Sequence, residues 1–186
     1  MKLVKYIIMA TTILSAVYAE AQTKKVLVAY YSWSGNTRVL AQEIQKQTGA
    51  DIFEIVPAKA YSTDFQECVK VAREEIDNIK AGSEPPALKG EMPDLSKYSV
   101  IFIGSPNWCS TIAPPVNTFL KSEALAGKTV VPFCTHGTGG RATLFTDMKA
   151  LAPKATFLEG YSIAGKDVKG SAEAVSKWLK EIKLLK

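Results

Sequence analysis

Short apolar runs alternate with amphipathic helical patterns five times along this chain, and this alternation restricts the fold more than any other feature. The apolar runs, which predict strands, are Lys25–Tyr31, Asp51–Val56, Val100–Gly104, Thr129–Thr135 and Thr156–Tyr161. The helical patterns are Thr37–Thr48, Asp64–Lys80, Pro115–Leu125, Arg141–Leu151 and Ser171–Ile182. Connections that hold helices require parallel strands and right-handed crossovers. We therefore predict an α/β fold, a doubly wound three-layer sandwich around a five-stranded parallel sheet.

The N-terminus is typical of a secretory signal peptide rather than of the fold. Two lysines precede an apolar, uncharged run, Tyr6–Ala19, and small residues then allow cleavage after Ala19 or Ala21. The run is shorter than the roughly 20 residues that a membrane-spanning helix needs, although an uncleaved anchor is the alternative. We predict a signal peptide at residues 1–21 and an exported, periplasmic mature chain, residues 22–186, with no membrane span.

Composition and charge indicate one globular domain. Apolar residues make up 47% and charged residues 22% of the 186 residues, which argues against disorder and against a disulfide scaffold. The formal charge is +5, and removal of residues 1–21, with two lysines and one glutamate, leaves +4. The lysines of the last helix have the spacing of a solvent-facing side, and the aromatic residue among them, Trp178, lies on the apolar stripe, so we expect no nucleic-acid partner.

The three cysteines, Cys68, Cys109 and Cys134, show neither a CxxC pair nor the spacing of metal ligands. We expect no metal site, and we interpret the cysteines as small buried hydrophobic residues. A bridge between Cys109 and Cys134 is the alternative in an oxidising compartment, because both residues lie near the carboxyl edge of neighbouring predicted strands.

The segment after the first predicted strand has the composition of a phosphate-binding loop. It runs directly into a helix as Ser32-Trp33-Ser34-Gly35-Asn36-Thr37. Hydroxyl groups and the amides of a helix N-terminus bind anions well. The loop has no lysine, which argues against a Walker A site, and it lacks the GxGxxG spacing of dinucleotide folds. The alternative is an ordinary turn that caps the helix.

Two further loops follow the third and fourth predicted strands. Because ligands of parallel sheets bind beyond the carboxyl ends of the strands, both loops are candidates for the same site. In Gly104-Ser105-Pro106-Asn107-Trp108 the tryptophan suits stacking on a planar ligand, with core packing as the alternative. In Thr135-His136-Gly137-Thr138-Gly139-Gly140 the glycines allow a ligand to approach the backbone, and His136 is the only histidine of the chain.

These three loops, in this order, resemble those of the flavodoxin-like family, and the resemblance covers residues 24–184. It implies the strand order 2-1-3-4-5 and non-covalently bound FMN. Binding of the phosphate by Ser32, Ser34, Asn36 and Thr37 is implied, with Gly35 giving clearance and Trp33 in the same loop. Contacts to the flavin ring from Ser105, Pro106, Asn107 and Trp108, and from Thr135, His136, Gly137, Gly139 and Gly140, are implied as well.

The chain departs from electron-carrying flavodoxins in two ways. Those proteins usually offer an aromatic residue from the third loop and are strongly acidic, whereas this third loop is rich in glycine and this chain is basic. Three hypotheses follow: a monomeric flavodoxin-type electron carrier, an FMN-dependent NAD(P)H or quinone-type oxidoreductase, and an exported binding module without tight flavin binding. In the second, His136 donates a hydrogen bond as a catalytic residue. The expected partner is a redox protein or a small-molecule electron donor or acceptor.

Overall fold

The computed structural model describes residues 25–185, so the predicted signal peptide lies outside the described residues. The strands are β1 Lys25–Tyr30, β2 Asp51–Glu54, β3 Tyr98–Trp108, β4 Thr111–Ile112, β5 Thr129–His136, β6 Thr156–Phe157 and β7 Tyr161–Ala164. The α-helices are α1 Asn36–Thr48, α2 Phe65–Lys80, α3 Pro114–Leu120, α4 Leu144–Leu151 and α5 Ala172–Glu181, and Leu95–Lys97, Glu123–Leu125 and Gly165–Gly170 form 3-10 helices. Between residues 25 and 185, no helix combines the length and apolar character needed to span a membrane.

The sheet has the order β2-β1-β3-β5-β6, and each of these neighbouring pairs is parallel. The short strand β7 also pairs with β5 in parallel, whereas β4 pairs antiparallel with the end of β3. When β5 is counted as the fourth predicted strand and β6 with β7 as the fifth, this is the order 2-1-3-4-5. The predicted doubly wound α/β sandwich is therefore confirmed.

The predicted fifth strand is interrupted, and a proline in its neighbour explains the gap. The backbone carbonyls of Lys128, just before β5, and Val130 accept hydrogen bonds from the N–H groups of Thr156 and Leu158. Every second residue along this stretch therefore directs its backbone hydrogen bonds to the fifth strand. The next residue in that alternation is Pro132, which has no N–H to donate. Pairing resumes only with β7, which starts at Tyr161, where the predicted strand was expected to end.

The third strand is longer than predicted, because it continues through residues expected to form a loop. Its pairing with β5 extends past Gly104 to Pro106 opposite Thr135, and residues 107–108 then form a hairpin with β4. Gly104 is needed inside the strand, since a Cβ atom there would lie 2.2 Å from the ring of Phe133. Gly104 is thus accommodated inside the strand by close packing against Phe133, and Pro106 by pairing with β5.

Two helix boundaries also differ from the prediction. The predicted helix Pro115–Leu125 ends at Leu120, and a 3-10 helix follows. The predicted helix Arg141–Leu151 begins only at Leu144, because Ala142 has a φ of 46°, outside the right-handed helical region.

Alternate residues of the central strands form two hydrophobic layers. Leu27 and Ala29 of β1 pack with α3 and α4 on one face of the sheet, while Val28 and Tyr30 pack with α1 and α5 on the other. The strands are buried on both faces, as their nearly continuous apolar sequence predicts. This packing fixes the carboxyl ends of β1, β3, β5 and β7 at one edge of the sheet, where the candidate site lies.

Candidate functional site

A cavity of about 490 Å³ lies at the carboxyl edge of the sheet, and we call it the edge cavity. This volume is within the range of small-molecule sites, which is about 300–1,000 Å³. Fourteen residues line it: Trp33, Ser34, Asn36, Phe65, Pro106, Asn107, Trp108, Thr135, His136, Gly137, Thr138, Ala164, Gly165 and Lys166. The three predicted loops therefore meet at one cavity, although not every predicted site residue lines it.

The first loop supplies Trp33, Ser34 and Asn36 to the lining and ends at the start of α1. Gly35, the residue before α1, has a φ of 89° and no side chain with which to cap the helix. The first turn also contains no acidic residue, so its amides, apart from that of Arg38, remain available to an anion. Ser32 lies outside the lining, and its hydroxyl accepts a hydrogen bond from the N–H of Arg38 at 3.2 Å.

Thr37, the last residue of the predicted phosphate loop, connects two of the loops. Its side chain is buried, and its hydroxyl is hydrogen-bonded to that of Thr135 at 2.8 Å. Thr37 does not line the edge cavity, whereas Thr135 does. The pair therefore fixes the third loop against the N-terminal turn of α1.

The second loop places Pro106, Asn107 and Trp108 on the edge cavity but holds Ser105 away from it. The Ser105 side chain is fully buried; its hydroxyl accepts from the N–H of Ala113 at 3.0 Å and donates to the carbonyl of Pro106 at 2.8 Å. Ser105 thus stabilises the turn between β3 and α3. We expected Ser105 near the flavin, and the structure places it beneath the lining.

Asn107 connects the second loop to the third. Its Nδ2 donates to the carbonyl of Gly140, whereas its Oδ1 is buried and has no hydrogen-bond partner among the described residues. A buried carbonyl oxygen without a donor costs free energy, so Asn107 leaves acceptor capacity beside the cavity. Gly139 and Gly140 lie outside the lining, and the bond to the Gly140 carbonyl shows that the second half of the loop supports Asn107.

The third loop contributes Thr135, His136, Gly137 and Thr138 to the lining. His136 is partly exposed at the end of β5, and its Nδ1 lies 2.8 Å from the carbonyl oxygen of Gly137. Because a carbonyl only accepts, Nδ1 carries the proton in this bond. The Nε2 atom is then the free ring nitrogen, and in neutral imidazole it is an acceptor.

Aromatic residues from three elements surround the edge cavity. Trp108 makes edge-to-face contacts with Tyr31 and Tyr61, at centroid distances of 5.4 Å and 4.8 Å. Trp33 lies 6.3 Å from Phe65, and its Nε1 donates to the carbonyl of Ser62 at 3.0 Å. Burial raises the pKa of the Tyr31 and Tyr61 hydroxyls, so both stay protonated and the support behind Trp108 is uncharged.

Two parts of the lining were not predicted from the sequence. The segment Ala164–Lys166 follows β7, whose last residue pairs with His136, and so it reaches the same edge as the other loops. Phe65 is the first residue of α2 and is 61% exposed. The rule that ligands bind beyond every strand end, applied to the fifth strand, would have identified the first of these.

The residues of the edge cavity fit the mononucleotide that the sequence predicts. One end combines Ser34, Asn36 and the remaining free amides at the N-terminus of α1, which are donors suited to a phosphate. The aromatic side chains Trp33, Phe65 and Trp108 suit a planar ring system. The lining contains no aspartate or glutamate that would repel an anion.

The cysteines are not bridged. Cys68, Cys109 and Cys134 are all free, with Cys109 exposed and the other two buried. A disulfide between Cys109 and Cys134, which the sequence left open, is absent from the structure, and the expectation of small buried residues fits Cys68 and Cys134.

Known families and structures show what this chain resembles. The sequence profile described as Flavodoxin matches residues 25–182. A candidate flavoprotein from Bacteroides eggerthii is 30% identical over 86% of this chain and 98% of its own, with a TM-score of 0.70. One from Bacteroides uniformis is also 30% identical, over 84% and 97%, with a TM-score of 0.74.

A more distant structure has a related fold and was solved with a ligand. The flavoprotein from Lactobacillus acidophilus in complex with FMN is 24% identical over 79% of this chain and 97% of its own, with a TM-score of 0.65. Among curated proteins, none matches the chain significantly.

Proposed function

The chain belongs to the flavodoxin family over residues 25–182, and we propose that it is an electron-transfer protein that holds FMN in the edge cavity. The cofactor predicted from the sequence, FMN, is confirmed at the level of the family, so the chain is an FMN-binding flavoprotein. We propose, in addition, its electron-transfer role, its redox partner and its location.

One observation carries the proposal: the edge cavity has an anion-binding end and an aromatic part, formed by separate loops that the fold brings together. Ser34, Asn36 and the amides at the start of α1 bind the phosphate. Trp108 and Phe65 flank the ring system. Bound FMN supplies one-electron and two-electron redox chemistry.

The supporting contacts hold these groups in fixed positions. The hydroxyl pair of Thr37 and Thr135 and the bond from Asn107 to Gly140 connect all three loops. Edge-to-face packing holds Trp108 against a protonated tyrosine pair. A preorganised site needs little rearrangement when the charge of its ligand changes, which supports an electron-transfer role.

The third loop supports a second candidate function, an FMN-dependent NAD(P)H or quinone-type oxidoreductase. Residues 137–140 contain no aromatic side chain, and His136 lies at the rim of the cavity. This leaves room on one side of the cavity for a hydride donor or a quinone. His136 would then hydrogen-bond the substrate.

We also propose that the protein is exported and acts as a monomer with a redox protein or a small molecule as its electron donor or acceptor. The basic and apolar pattern of residues 1–21 supports export.

The first test is a titration of the purified protein with FMN, followed by quenching of flavin fluorescence. We expect sub-micromolar affinity. Phe65→Ala should weaken binding about tenfold, because stacking of an aromatic side chain on a planar base contributes about 1–3 kcal/mol. Val71→Ala is the matched control, since Val71 is also exposed on α2 but does not line the cavity. Equal affinities in all three proteins would contradict the assignment of the cavity.

Stepwise chemical reduction of the FMN-bound protein separates the two candidate functions. An electron carrier should give a half-reduced spectrum that is not a mixture of the oxidised and fully reduced spectra. An oxidoreductase should instead oxidise NAD(P)H with saturation kinetics when a quinone is present, and His136→Ala should lower that rate. Saturable turnover without a distinct half-reduced spectrum would refute the carrier.

A further inference from the structure

Lys166 is the only formally charged side chain among the residues that line the edge cavity. The other lining side chains are neutral polar, aromatic or small, apart from His136. Because the rest of the lining carries no formal charge, the position of this ammonium group determines which part of a bound ligand it attracts.

The backbone places Lys166 at the anion-binding end of the cavity. Ala164 pairs with His136, and the chain then leaves the sheet as the 3-10 helix Gly165–Gly170. A Cβ atom at Gly165 would lie 2.4 Å from Nδ2 of Asn36, the first residue of α1. The 3-10 helix therefore meets the N-terminus of α1, and Lys166 follows immediately.

The charge of Lys166 is not neutralised by an ion pair within residues 25–185. The ion pairs of that part of the chain join other residues, and none includes Lys166. Its chain neighbour Asp167 is exposed and does not line the cavity. A phosphate monoester carries a charge of about −1.5 to −2 at neutral pH, so it is the ligand group that this ammonium attracts most.

We propose that Lys166 is a specificity-determining residue that favours the phosphorylated flavin, FMN, over riboflavin by pairing with the phosphate from the fifth strand. This inference rests on the proposed function, because it assumes that the edge cavity binds FMN. It adds a cationic side chain, from a segment outside the three predicted loops, to a phosphate site that the first loop and the N-terminus of α1 form with neutral groups.

The test compares FMN with riboflavin, which is the same ring system without the phosphate. Lys166→Gln should weaken FMN binding about fivefold at low salt, the upper end of what an exposed ion pair contributes, and leave riboflavin binding unchanged. Lys166→Arg should retain the affinity for FMN. Lys169→Gln is the matched control, because Lys169 lies in the same 3-10 helix, is exposed and does not line the cavity.

Ionic strength gives a second measurement. Added salt should weaken FMN binding to the wild-type protein more than to Lys166→Gln, since salt screens an exposed ion pair. An equal loss for FMN and riboflavin would overturn the inference, because it would indicate a disturbed cavity rather than a lost charge pair. Unchanged FMN binding in Lys166→Gln would overturn it while leaving the proposed function intact. A wild-type protein that binds neither flavin would overturn both.

Discussion

The hydroxyl pair between Thr37 and Thr135 gives the sharpest prediction about how the site is held together. The two oxygens are 2.8 Å apart, and the side chains are 1% and 3% exposed. Thr37→Val removes one hydroxyl with little change of shape and leaves the other buried without its partner. A buried polar group that loses its partner costs about 1–3 kcal/mol, so we expect a loss of about 2 kcal/mol in the free energy of unfolding.

The double variant Thr37→Val/Thr135→Val distinguishes this bond from a general effect of the substitutions. When both partners become apolar, no unpaired group remains, and the cost should fall close to zero. Urea unfolding of the flavin-free protein, followed by tryptophan fluorescence, measures each free energy. The free energy of unfolding falls with a slope of about 2 kcal/mol per molar urea. The single variants Thr37→Val and Thr135→Val should therefore each lower the urea midpoint of unfolding by about 1 M.

A double-mutant cycle gives the result that would refute this reasoning. If the double variant loses the sum of the two single losses, the hydroxyls do not bond to each other. If neither single variant changes the midpoint, the bond contributes nothing, and another contact must hold the third loop against α1. The urea slope should be the same in all four proteins, which checks that the unfolded state is unaffected.

Two further predictions concern packing and thiol chemistry. Gly104→Ala should lower the free energy of unfolding by about 2 kcal/mol and the melting temperature by about 4–8 °C, because its Cβ would overlap the ring of Phe133. Gly170→Ala, where nothing lies within 4 Å, should change calorimetric stability little, and equal effects would contradict the overlap. Alkylation followed by mass spectrometry should label exposed Cys109 in the native protein but Cys134 only after unfolding, because burial raises the pKa of the Cys134 thiol to about 12. Labelling of both at one rate would be inconsistent with this structure.

The fold could be predicted because strands buried on both faces give long apolar runs, and helices between them give a different period. The alternation of apolar runs and helical patterns predicted the parallel sheet, and the family resemblance predicted its strand order. Boundaries that depend on a neighbouring strand could not be predicted in this way. The gap between β6 and β7 follows from Pro132 in β5, and the extension of β3 follows from its pairing up to Thr135.

The candidate site was predicted in part, for a related reason. The rule for parallel sheets brings all strand ends to one edge, so it found the three loops. It does not say which side chain of a loop faces the ligand. Ser105 and Thr37 looked like donors to a ligand, yet burial directs their hydroxyls to Pro106 and Thr135. Lys166 and Phe65 carry no motif, and only the tertiary structure brings them to the cavity.

The two longest helices differ in how the amides at their N-termini are hydrogen-bonded. The side chain of Asp64 caps α2 by accepting from the N–H of Glu67 at 2.9 Å. At α1 the N-cap residue is Gly35, which has no side chain, and the N–H of Arg38 instead donates to the hydroxyl of Ser32 at 3.2 Å. Side-chain capping contributes about 1 kcal/mol, and among the five α-helices of residues 25–185 only α2 has an N-cap side chain that accepts such a bond. A phosphate bound at the remaining amides of α1 would stabilise only the folded state, so added FMN should raise the free energy of unfolding.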